Sequence, residues 1–112
     1  MIITKTKDTP FTENPHKVKA QKLYDKTTAQ IIHLTLEQGE SLRKHITPVD
    51  VAFYVLEGKG LVEIGEESHE AEKDDIIESP KNIPHRWINT SDEKLRILVI
   101  KTPAPTSATR IL

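Results

Sequence analysis

Two histidines sit in settings where an imidazole could do chemistry: His45 in Lys44-His45-Ile46-Thr47-Pro48, and His85 in Ile83-Pro84-His85-Arg86-Trp87. The chain has no cysteine, so disulfides, thiolate zinc sites and a Cys nucleophile are excluded. Any metal site must then be built from His and carboxylate. Two imidazoles alone hold a divalent ion weakly, because tight sites use three or more protein ligands. Neither a Gly-x-Ser-x-Gly elbow nor a Gly-rich phosphate loop occurs.

The elements that must position these residues are short. The 112 residues are 36% hydrophobic and 29% charged, which suits one small domain with one core. Sixteen Lys and Arg against seventeen Asp and Glu leave a formal charge of -1. That balance supplies no basic field for nucleic acid or an anionic bilayer. The opening Met1-Ile2-Ile3-Thr4-Lys5 is too short an apolar run for a signal peptide or a spanning helix, so a cytoplasmic protein is expected.

Apolar residues fall in short Ile- and Val-rich runs separated by Pro, Gly, Asn and Asp, a pattern that predicts an all-β chain. Strands are expected over Lys17 to Tyr24, Ala29 to Glu37, Val51 to Leu56, Gly60 to Gly65, Asp75 to Glu78, His85 to Asn89 and Leu95 to Lys101. Residues 1–16 read as an N-terminal arm that could add an edge strand through Ile2 to Thr4. Residues 103–112 read as an extended tail. Between Glu57 and Glu78 the acidic residues far outnumber Lys59 and Lys73, and Gly65-Glu66-Glu67 is a turn sequence, so a solvated hairpin is expected there.

The stretch from Gly39 through His45, Thr47, Val51 and Tyr54 to Gly58, followed by Asp74-Asp75, Pro80, Asn82 and Pro84-His85 to Asn89, resembles the two signature motifs of the cupin superfamily. In that family the first motif runs Gly, five residues, His-x-His, three or four residues, Glu, then about six residues to Gly. The second runs Gly-Asp, about four residues, Pro, then Pro-His and, four residues on, Asn. The resemblance implies a small single-domain double-stranded β-helix, a jelly-roll barrel, over residues 1–112. It also implies a divalent metal held by the His and Glu residues of the two motifs. This chain departs from the pattern: Thr47 replaces the second His and Val51 the Glu, so only His45 and His85 of the expected ligands remain. Asp74 and Asn82 replace family glycines, at turn positions where Asp and Asn tolerate left-handed geometry.

Strand alternation in such a barrel turns Val51, Phe53 and Val55 inward and Asp50, Ala52, Tyr54 and Leu56 outward, while His85, Trp87 and Asn89 share one face. The expected ligand pocket is therefore His45, Thr47, Val51, Phe53, His85 and Trp87. A metal such as Zn, Mn, Fe or Ni would be held weakly by His45 and His85, unless a bulge near Pro48 turned Asp50 inward as a third ligand. His33 is expected to point out from a core face of Ile32, Leu34 and Leu36, and His16 and His69 to lie on the surface. Outward Tyr54, Leu56 and Ile88 are expected to leave apolar surface, near the arm at Ile2 to Thr4, for a homodimer contact.

Whether the chain is an enzyme is left open. The leading expectation is a barrel that binds a small organic ligand with its metal centre weakened or absent. One rival is a metal-dependent oxygenase or isomerase using His45 and His85. Another is a non-catalytic sensor or structural dimer.

Overall fold

The computed structural model describes residues 1–112 and is built from ten strands in two five-stranded antiparallel sheets. The first sheet contains β1 (Lys19–Lys26), β2 (Ala29–Leu36), β4 (Asp50–Glu57), β7 (Ile76–Ser79) and β9 (Leu95–Thr102), in the order β1-β2-β9-β4-β7. The second contains β3 (His45–Ile46), β5 (Lys59–Ile64), β6 (Glu67–Glu72), β8 (His85–Ile88) and β10 (Arg110–Ile111), in the order β10-β3-β8-β5-β6. The two sheets close a double-stranded β-helix. No helix is long and apolar enough to cross a membrane.

Period-two patterning creates the interior. On β4, Val51, Phe53 and Val55 are buried between half-buried Ala52, Tyr54 and Leu56, and β9 repeats this with Leu95, Ile97 and Val99. From the other sheet Val62, Ala71 and Trp87 meet them in one apolar cluster. Gly58 (φ 81°) turns the chain from β4 into β5 where a Cβ would collide with the Lys94 carbonyl oxygen, so no other residue fits. Asp74 (φ 73°) and Asn82 (φ 64°) adopt the left-handed turns expected of them.

The solvated hairpin expected around Gly65 forms: β6, Glu67-Ser-His-Glu-Ala-Glu, pairs along β5 although only Ala71 is buried. Backbone pairing, rather than an apolar pattern, holds it. The tail is not merely extended: Arg110–Ile111 pairs with β3, and the Leu112 N–H donates to the Lys44 carbonyl (2.9 Å). The arm forms no strand at Ile2 to Thr4. It makes a 3-10 turn over Thr6–Asp8 and is held by the Gln21 amide, which donates to the Thr6 and Thr9 carbonyls (2.6 and 2.9 Å).

That arm explains why His33 is buried although it lies on the outer face of its sheet. Gln21 Oε1 accepts from His33 Nδ1 (2.9 Å), and Arg96 Nε donates to His33 Nε2 (3.0 Å). Asn89 joins the sheets at the other end, donating to the Leu36 and Glu93 carbonyls (2.9 and 2.7 Å).

Trp87 is fully buried, edge-on to Phe53 with ring centroids 5.7 Å apart, and its Nε1 is the one buried side-chain polar atom without a partner. Its contribution is therefore packing. Trp87→Ala is expected to lower unfolding free energy by about 3–5 kcal/mol in urea titrations. As the only Trp, its emission should resist iodide quenching in the folded protein; free quenching would contradict the placement.

Candidate functional site: an imidazole- and lysine-lined cavity at the barrel mouth

A cavity of about 250 Å³ lies where the arm crosses the open end of the barrel, with His16, His45, His85 and Lys101 in its wall over apolar Leu34, Phe53 and Val99. His45 and His85 are direct cross-strand partners on β3 and β8, with ring centroids 4.5 Å apart. His16 packs against His45 with ring centroids 4.7 Å apart and planes tilted by 56°.

Each ring is oriented by groups whose chemistry fixes its protonation. The Arg43 backbone positions two of them: its N–H donates to His16 Nδ1 (2.8 Å), and its carbonyl accepts from His45 Nδ1 (2.7 Å). A carbonyl cannot donate, so neutral His45 carries its proton on Nδ1 and leaves Nε2 as a lone pair without a protein partner. His16 is the reverse tautomer, protonated on Nε2. An Asx turn brings His16 there: Asn14 Oδ1 accepts from the His16 N–H (3.1 Å), while its amide donates to the Val18 carbonyl (2.8 Å). His85 is held across the barrel between Ser79 Oγ on Nδ1 (2.6 Å) and Thr47 Oγ1 on Nε2 (3.2 Å).

Burial is the largest cause of every shift in this cluster. It pushes His85 down to about 3 and His16 to about 4, both from an ordinary 6.5, with neighbouring imidazoles and Lys101 adding to the effect. His45 is lowered for the same first reason, against an opposing hydrogen bond to the Arg43 backbone. Lys101, also lowered by burial and then by Lys22, points into the cavity from the inner face of β9.

Of the expected pocket residues, His45, Thr47, Phe53 and His85 line the cavity. Val51 and Trp87 face inward and are buried, but they lie behind its wall. Asp50 does not turn in: it is exposed, and its carboxylate accepts the Lys81 N–H (2.9 Å). The donor set does not fit a divalent ion, because both His85 nitrogens are engaged by hydroxyls. Val51 and Thr47 stand where the family's Glu and second His would be, and no group of three His, Asp or Glu is arranged to hold a metal ion.

Two site residues escaped the sequence reading. Lys101 continues the inward series Leu95, Ile97, Val99, so alternation could have found it. His16 reaches the site only because the arm folds back, which no local pattern encodes. His69 is exposed, as expected, on the wall of a separate groove of about 990 Å³ between β6 and β7. Every ionisable side chain lining that groove is exposed.

A family model described as a cupin domain matches residues 32–101. The chain belongs to the cupin family. Among solved structures, this cupin is similar to the TT1209 protein of Thermus thermophilus (25% identity, TM-score 0.79, covering 92% of this chain and 98% of that one). It is also similar to an RmlC-like cupin of Methanocaldococcus jannaschii (24%, TM-score 0.75, 94% and 95%). The polyketide cyclase RemF of Streptomyces resistomycificus superposes at TM-score 0.85 over 100% of this chain and 85% of that one, at 18% identity, which is a likeness of fold. The uncharacterized protein MJ1618 of M. jannaschii is 37% identical over 62 residues, 55% of this chain. The cupin spans about half (49%) of that curated relative's length.

The histidine shifts have one sign. Each folded-state value lies below the unfolded 6.5, so the unfolded chain binds protons first as pH falls. Stability is fully present above about pH 6.5, declines below it, and levels off only beneath the folded values. His85 alone should cost about 2 kcal/mol at pH 5. Urea midpoints at pH 7.5 and pH 5 check this, and equal midpoints would contradict it.

Proposed function

We propose that this cupin is a cytoplasmic binding module for a small organic molecule, which occupies the cavity at the barrel mouth. The observation that carries the reading is the convergence of a free imidazole lone pair, two further imidazoles and the Lys101 amine on a space with an apolar floor. A site of this makeup is what small-molecule recognition requires: apolar area for affinity and a few polar groups for orientation. A metal-dependent oxygenase or isomerase built on His45 and His85 has less support, since the hydroxyls of Ser79 and Thr47 occupy both His85 nitrogens. A purely structural dimer leaves the unpartnered His45 Nε2 unexplained.

Screening small organic fragments by backbone amide NMR tests the reading. Hits should shift residues of the cavity wall, Leu42, Thr47 and Val99 among them. Shifts confined to the groove between β6 and β7 would move the site there, and an absence of hits would overturn the binding function.

We also propose that a second copy of the chain packs on the outer face of the first sheet. Cross-strand register sets Tyr54 between Leu98 and Ile76, and Ile100 between Ile31 and Ala52, as one apolar surface. Ile88 is not part of it, because β8 belongs to the other sheet. Nor is Ile2 to Thr4 placed as an added strand. Sedimentation at micromolar concentration should show twice the 12.7 kDa chain mass, with Tyr54→Asp shifting it to monomer. A wild-type monomer would sink this assignment.

A further inference from the structure

Lys101 is the charged group the barrel leaves unmatched. Its side chain lies in the cavity wall, yet none of the chain's four ion pairs involves it. Lys22, also in the wall, is engaged with Asp25 at 3.5 Å. The one carboxylate of the lining, Glu13, is exposed at the rim and makes no ion pair. The three imidazoles nearby are held as neutral rings, so they add dipoles and no counter-charge. A partly buried ammonium facing a half-open cavity is costly unless something there neutralises it. No protein group does.

We propose that the cavity selects a small organic monoanion, whose carboxylate pairs with the Lys101 ammonium and whose apolar body rests against Leu34, Phe53 and Val99. The proposal rests on the reading that this cavity binds a small organic molecule, and narrows it to a charge class. One free ammonium matches one negative charge. The volume, about 250 Å³, lies below the range of roughly 300–1,000 Å³ usual for drug-sized ligands, which limits the body to a short chain or a single ring. His16, whose Nε2 carries a proton, is placed to donate to a carboxylate oxygen, whereas the His45 Nε2 lone pair favours a hydroxyl or amide hydrogen elsewhere on the ligand.

The test compares matched probes on the full-length chain: butyrate and benzoate against butyramide and benzamide, titrated at pH 7.5 by amide NMR. Each acid should bind at least tenfold tighter than its amide, with shifts at the cavity wall. Lys101→Met should abolish that preference by weakening the acids at least tenfold more than the amides. Glu13→Gln, at an exposed position, should strengthen acid binding and keeps the proposal testable if the Lys101 variant does not fold. Acids and amides binding equally well in the wild type would overturn the anion assignment while leaving small-molecule binding intact. No binding by any of the four probes, together with no hit among the fragments, would overturn both.

Discussion

The interior depends on one polar crossbar. His85 lies between a hydroxyl of the first sheet, Ser79, and a hydroxyl at the end of β3 in the second, Thr47. Both ring nitrogens are satisfied without charge, which is what a buried imidazole needs, since an imidazolium there would lose its hydration with no anion to replace it. The crossbar holds the second sheet in register with β7 at the mouth of the barrel. It also gives Phe53 an edge-on partner at 5.2 Å and fixes the ring against which His45 sets its own edge. A metal drawing on His85 would have to break one of these bonds and would find no carboxylate opposite. The Thr47 and Val51 substitutions and the Ser79 contact are thus one coherent arrangement: the hydroxyls replace a metal as the groups that orient the ring.

Much of the barrel was legible in the residues because burial on one face leaves a period-two trace. The inward series of β4 and β9 and the shared face of His85, Trp87 and Asn89 follow from alternation alone. The left-handed turns at Asp74 and Asn82 follow from side-chain chemistry. The acid-rich, almost wholly exposed β6 leaves no hydrophobic signal, and its hairpin with β5 was announced only by the Gly65-Glu66-Glu67 turn sequence. What escaped has a different cause. β3 and β10 are two residues each, too short to carry a period. Placing Tyr54 and Ile88 on one surface failed because alternation gives the face of a strand but not the sheet to which the strand belongs.

The candidate site was half legible for the same reason. His45, Thr47, Phe53 and His85 lie on strands or directly beside them, and their direction follows from the pleat. His16 comes from a segment with no regular structure, delivered by an Asn14 turn and the Arg43 N–H. The buried state of His33 likewise depends on the arm, through Gln21 and its two carbonyl partners. The arm therefore does two jobs that its composition does not announce: it closes the cavity on one side and covers a polar network on the outer face of the first sheet.

Charge in the cavity is exclusive, and this links the site's electrostatics to its occupancy. Three imidazoles within about 5 Å of their neighbours cannot share several protons beside an ammonium. Lys101 lowers His16 and His85 further than burial alone would, and His45 lowers both as well. A monoanion in the cavity would offset that field. It stabilises the Lys101 ammonium first and makes a proton on the neighbouring rings less unfavourable. By linkage, anything that eases protonation on binding must itself bind better where protons are more available. On the proposed reading, the same desolvation that makes the barrel acid-sensitive would favour a negatively charged guest, because a partly buried ammonium costs the most when nothing answers it.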